Sequence, residues 1–213
     1  MEGPKRKRDG SMRPGQDLVA VGLAALHGTA ALAKELEEEL AGRYGRHFIR
    51  RMKGCAAAYS IGKLGEVLGI SGITGESQGA EILGVTKMCE GAEIPGITEI
   101  QKAGEGGVLA ALWELAADHR AGFHVWLRDI PILQESIELC ETFDLNPYRL
   151  HSGGSYLVVA DNGLDVVRHL TQRNIRAAVI GKVEPGIKRL IDTGEGVSFL
   201  ERPKRDELYF RQD

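Results

Sequence analysis

The stretch "QKAGEGGVLAALWELA", Gln101 to Ala116, sets three glycines (Gly104, Gly106 and Gly107) within four positions, directly before an apolar run of helical period. From Val108 the apolar positions Leu109, Leu112, Trp113 and Ala116 recur at steps of three and four, which predicts a helix to His119 or Arg120 that Gly122 stops. The first amides of such a helix lack partners inside it, the helix dipole favours negative charge, and glycine lets a ligand approach the backbone. The stretch therefore reads as a loop whose backbone would take an anion, above all a phosphate. It is neither GxGxxG nor a P-loop with its Lys-Ser/Thr pair, so a plain structural turn is the alternative.

Outward from that helix, strand and helix patterns alternate. "FHVWL" (123–127) alternates as a strand, "PILQESIELCETF" (131–143) reads as a proline-started helix, and "NPY" breaks the chain. "SYLVVA" (155–160) is a buried strand, "NGLDVVRHLTQRN" (162–174) a helix with Asn174 near its end, and "RAAVIGKV" (176–183) another strand. Two short strands follow, near 189–192 and 197–200. Towards the N-terminus, a strand spans Asp17 to Leu23. A helix runs from Thr29 to about Arg43, with Lys34 and Glu38 at ion-pair spacing, and a second helix from Arg46 to Cys55. Because the later turns are hairpin-like, this order predicts an α/β (α+β) domain with a mixed sheet covered by helices.

The 213 residues carry 28 glycines, about 13% against roughly 7% in ordinary proteins, so loops and close backbone approaches matter. A net charge of -3 gives no overall pull toward nucleic acid. Cys55, Cys89 and Cys140 are odd in number, far apart and form no CxxC pair, which argues against a disulfide framework or zinc knuckle and for a reducing, cytoplasmic setting. No run of 18 apolar residues or signal core is present, so no membrane role is expected. The basic run Lys5 to Arg8 makes 1–13 a flexible tail first, and a phosphate- or acid-binding arm second. The principal domain is 14–213. The register IxG(I/V)T recurs from Ile70, Ile82 and Ile94 with a period of 12, which reads as a repeat-containing insertion at about 70–95, with a short solenoid as the alternative.

Two further loops are candidates for anion contact: "HSGGSYL" with Ser152, Gly153 and Gly154, and "LHGT" with His27 and Gly28. The six histidines form no ligand set, so no metal site is expected from them. His151 adjoins Ser152, but neighbouring side chains seldom make a nucleophile and base, and GxSxG is absent.

The segments "RPGQDLVAVGLAALHGTAALAKE" (13–35), "GEGGVLAALWELA" (104–116), "IPILQESIELCETFDLNPYRLHSGGSYLVVA" (130–160), "RAAVIGKV" (176–183) and "PKRDELY" (203–209) follow one another in a recognisable order. Together they resemble the C-terminal domain of the aminoimidazole ribonucleotide synthetase (PurM-like) superfamily, especially its branch related to the hydrogenase maturation factor HypE. The resemblance covers most of Pro14 to Tyr209. It implies a mixed-sheet α/β domain, homodimers, and a superfamily in which ATP, with magnesium, activates an amide, carbamoyl or related oxygen by phosphorylation. It also implies that Gly104, Glu105, Gly106 and Gly107 help hold nucleotide phosphates.

The family loop commonly begins His-Asp and continues after one residue with Thr, where this chain has Gln101, Lys102 and Gly104. Lys102 can instead attract phosphate as a point charge. Full-length members place an N-terminal domain first, which supplies the acidic residues for magnesium, and only about a dozen residues precede the match here. The resulting expectation is a weak nucleotide-phosphate binder that needs an N-terminal-type domain or a partner for ATP-dependent chemistry and does not turn over alone. The alternative is a noncatalytic dimerisation or protein-interaction module.

Overall fold

A computed structural model of the protein describes residues 12–62, 64–68, 96–203 and 205–210. The basic run at 5–8 and the first two copies of the repeat lie outside the described residues. The chain order is β1 (Asp17–Val21), α1 (Leu26–Glu35), α2 (Glu37–Ala41), α3 (Arg46–Tyr59), α4 (Leu64–Val67), β2 (Ile97–Lys102), α5 (Gly107–His119), β3 (Gly122–Trp126), α6 (Gln134–Phe143), β4 (Tyr156–Ala160), α7 (Gly163–Thr171), β5 (Ala177–Glu184), β6 (Arg189–Asp192) and β7 (Val197–Phe199).

The strands form one mixed sheet in the order β2-β4-β1-β5-β3-β6-β7. Every pairing is antiparallel except β3 with β6, where Phe123 lies beside Arg189 and Val125 beside Ile191. The α/β class and the mixed sheet expected from the sequence are thus both present. β4 is buried at all five positions because both faces of the sheet's centre are covered. Leu157 and Val159 join Leu18, Ala20, Phe123 and the inner side of α5, whereas Val158 and Ala160 join Val19, Val21 and the Val166 and Leu170 positions of α7. Each of these leucine and valine side chains contributes about 1.5–3 kcal/mol on full burial, which is why an unbroken apolar run can serve an antiparallel strand here. A third cluster joins Leu32, Leu36 and Leu40 to Ile49, Met52, Leu139 and Leu150, fastening α1, α2, α3 and α6 beyond the sheet's end.

Several boundaries differ from the sequence reading. The first helix starts at Leu26 rather than Thr29 and is interrupted at Leu36, which is buried, so that α2 begins with Glu37 to Glu39 on a fresh helix start. The proline-started helix begins at Gln134, three residues after Pro131, with Leu133 as its cap. The strand β2 was not expected: Gly96 of the third repeat copy leads into it, Ile97 and Thr98 of that copy are its first residues, and it pairs with β4 from Ile97 opposite Ala160 to Lys102 opposite Tyr156. No described helix is long and apolar enough to cross a membrane.

Candidate functional site

The sheet topology brings together the three loops that the sequence singled out. β1 and β2 both run antiparallel to β4, so Val21 and Lys102, at their C-terminal ends, flank Tyr156 at its start. The loops after β1 and β2 and the loop before β4 therefore meet at one edge of the domain. Backbone bonds stitch them: Ser152 N–H donates to the Gly104 carbonyl at 2.9 Å, Ala103 N–H to the Ser155 carbonyl at 3.0 Å, and Gly28 N–H to the His151 carbonyl at 2.9 Å. The approach needs glycine at Gly28, where a Cβ would collide with the Leu150 side chain.

Within this cluster the residues divide by exposure. His27, Lys102 and Glu105 face solvent, Gly104 and His151 are half-buried, and Gly28, Gly106, Gly107, Ser152, Gly153 and Gly154 are buried. The Ser152 hydroxyl is a structural pin: it donates to the Leu150 carbonyl at 2.8 Å and accepts the Ala25 N–H at 2.9 Å. That second bond holds Ala25 at φ 63, a left-handed conformation unfavourable for a residue with a side chain, in the turn that aims α1. His27 lies over Gly153, where a Cβ would come within 2.6 Å of its Nδ1. Its Nε2 is 3.0 Å from the Ser60 hydroxyl, and its ring lies 5.5 Å from that of His151. Burial, then His151, then the Lys102 ammonium hold the His27 pKa below its ordinary value, which favours a neutral imidazole at physiological pH.

The helix start that reads as bare in the sequence is capped by the chain's own carboxylate. Asp206, 3% exposed, accepts the Gly106 N–H at 2.6 Å, the His151 N–H at 3.2 Å and the Leu208 N–H at 2.8 Å. Elsewhere on the first turn, Gly107 N–H donates to the Gly104 carbonyl and Leu109 N–H to the Tyr148 carbonyl, both at 3.1 Å. The sequence reading missed Asp206 as a site residue, along with Ser60. The local signal for Asp206 is an aspartate capping the short 3-10 turn Glu207–Tyr209, but its bond to Gly106 spans 100 residues. Among the described residues, no three His, Cys, Asp or Glu side chains are grouped to hold a metal ion.

Residues 13–191 match the family model described as AIR synthase related protein, C-terminal domain. The chain belongs to this family. Among solved structures, the AIR synthase related fold seen here resembles E. coli HypE with a TM-score of 0.63 at 18% identity, covering 96% of this chain and 56% of that one. It also resembles hydrogenase maturation protein HypE in complex with ATP, with a TM-score of 0.62 at 16% identity over 93% of this chain and 53% of that one. Thiamine monophosphate kinase from Aquifex aeolicus has a TM-score of 0.53 at 16% identity, over 85% and 51% of the two chains. At these identities the likeness is one of fold, and the chain spans little more than half the length of each. No curated protein matches it.

Proposed function

We propose that this AIR synthase related domain is a HypE-like module that holds nucleotide phosphate weakly at the meeting point of its three loops. The observation that carries the reading is the Asp206 carboxylate at 2.6 Å from the Gly106 amide: the loop before α5 already accepts an oxyanion. Lys102, exposed at the end of β2, supplies a positive charge to the same loop cluster, where it acts on the exposed His27, and the buried Gly28, Ser152, Gly153 and Gly154 hold the loops together beneath. ATP is the ligand class favoured by the fold shared with ATP-bound HypE. Its phosphates would meet Lys102 and the Gly104, Glu105, Gly106 and Gly107 backbone. Magnesium, which needs carboxylate or water oxygens around it, would be held by acidic residues of an N-terminal-type domain, on this polypeptide or another. Without those residues the domain binds and does not turn ATP over.

Amide NMR of the chain titrated with inorganic pyrophosphate tests the site. Shifts concentrated at Lys102, Gly104 and Gly106 support it, and shifts absent there while the ligand saturates elsewhere would remove it.

A second reading, a noncatalytic dimerisation or interaction module, draws on the edge strand β7. All three of its residues are exposed, with Val197 at 55% and Phe199 at 65%, and an apolar edge of this kind invites pairing with another chain. β7 is the edge strand opposite β2, which leads into the glycine loop, although Leu200, directly after β7, lines a cleft with Gly106.

A further inference from the structure

The carboxylate that marks the phosphate position also blocks it. Asp206 is carried by a C-terminal segment with its own anchors. Leu208 and Phe210 sit against the apolar cluster of α1, α3 and α6, with the Phe210 ring 5.9 Å from Phe143. Glu207 N–H donates to the Arg149 carbonyl at 3.4 Å, and the Arg149 side chain pairs with Glu201 at 3.6 Å. A small cleft beside the start of α5 is lined by Gly106, Leu109 and Arg149 together with Leu200, Glu201 and Arg202 of the stretch that leads into this segment. The segment is thus a strap laid across the glycine loop, and the one group it inserts is an oxyanion on the Gly106 amide.

A carboxylate oxygen at 2.6 Å from that nitrogen leaves no room for a phosphate oxygen at the same place. The geometry points to Asp206 as an internal competitor for nucleotide phosphate: the strap and the phosphate exclude each other, so phosphate binding releases the C-terminal segment, and release of the segment strengthens phosphate binding. The reciprocity is thermodynamic, because two states that differ in strap position are biased by one ligand. A polyphosphate, with more charge than one carboxylate, is the class able to displace Asp206. A simple monocarboxylate has no such advantage. The same movement frees the His151 N–H, so the loop before β4 would feel release directly. This inference rests on the phosphate site proposed above.

The test uses the full chain, inorganic pyrophosphate as the probe, and the variants Asp206→Asn and Phe210→Ala. The first weakens the inserted group, and the second loosens the apolar anchor without touching the loop. Calorimetry should give Asp206→Asn about tenfold tighter binding than wild type, the size expected when a mostly closed state no longer competes, with Phe210→Ala shifted in the same direction. In wild type, pyrophosphate should raise amide hydrogen exchange at Leu208, which loses its acceptor, while shifting the Gly106 resonance. Should Asp206→Asn fail to fold, Phe210→Ala and the wild-type exchange decide. Binding by wild type with unchanged affinity in the folded variants and unchanged Leu208 exchange would overturn the strap and leave the site standing. Binding by none of the three proteins would remove the site, and the strap's role with it.

Discussion

Within the glycine loop, alanine should be damaging at Gly107 and nearly neutral at Gly104. Gly107 has φ 70, and a Cβ there would collide with the Tyr148 carbonyl and lie 2.9 Å from both the Arg149 carbonyl carbon and the Leu150 carbonyl oxygen. These are backbone atoms, and the Tyr148 carbonyl cannot retreat freely because it accepts the Leu109 N–H at 3.1 Å. The left-handed conformation costs about 1–2 kcal/mol for alanine. Moving the 148–150 segment away weakens that hydrogen bond, at about 1 kcal/mol or somewhat more. The sum predicts a loss of about 2–4 kcal/mol for Gly107→Ala, the range of a strained backbone position. At roughly 2–4 °C per kcal/mol for a domain of this size, the melting temperature should fall by about 5–15 °C. Gly104 has no positive φ, and a Cβ added there would meet nothing within 4 Å, so Gly104→Ala should stay within about 0.5 kcal/mol of wild type. Urea unfolding of the three proteins, with slopes compared to check that the unfolded state is unchanged, measures both effects. Equal stability of Gly107→Ala and wild type, or equal damage from the two substitutions, would refute this account of the loop.

Other expectations follow from the same geometry. NMR titration should place the His27 pKa below its ordinary 6.5, and Lys102→Glu should raise it by replacing a repelling charge with an attracting one; an unmoved His27 would separate the two residues. Because unfolded His27 binds its proton more readily, its contribution favours the folded state more as pH rises through the interval between the two pKa values, and is withdrawn on acidification through it. Burial first of all pushes the thiols of Cys55 and Cys140 up to about 11 and about 12, so iodoacetamide at pH 8 should leave both unmodified in the native protein and alkylate them in urea, as read by peptide mass. Sedimentation at high concentration should show self-association that Phe199→Glu weakens; a monomeric wild type would contradict the β7 edge as an interface.

The parts of the fold that sequence conveys well are those decided locally. β4 announces itself because five consecutive buried residues must be apolar, and β6 matches its expected bounds because the turns around Gly186 and Gly194, both at positive φ, punctuate it. The α5 helix is legible from spacing alone, since nine of its positions are buried around Leu112. By contrast β2 is hidden, because its first residues continue the register of the repeat and its partner β4 is some sixty residues away. The interruption at Leu36 has no glycine or proline to mark it: Leu36 N–H still bonds the Leu32 carbonyl at 2.8 Å, and burial against α3 and α6 decides where the chain turns. For the site, the glycines and Lys102 can be found by eye, but their meeting with His27 and Ser152 depends on sheet order. Asp206 is the extreme case, since a single aspartate gives no sign of which distant amide it will cap. It also changes how the loop should be probed. Gly106 is at φ 75 with a Cβ only 2.7 Å from that of Ala110, so Gly106→Asp would disturb the backbone as well as the charge, whereas the exposed Lys102 can be reversed without cost to the core.

The most direct test of the central claim is calorimetric titration of magnesium and ATP into the purified chain, with Asp206→Asn and Lys102→Glu alongside. The account predicts weak binding by wild type, tighter binding by Asp206→Asn, and loss of binding in Lys102→Glu. No heat from either wild type or Asp206→Asn at millimolar ligand, or undiminished binding by Lys102→Glu, would contradict a nucleotide-phosphate site at the meeting of these loops.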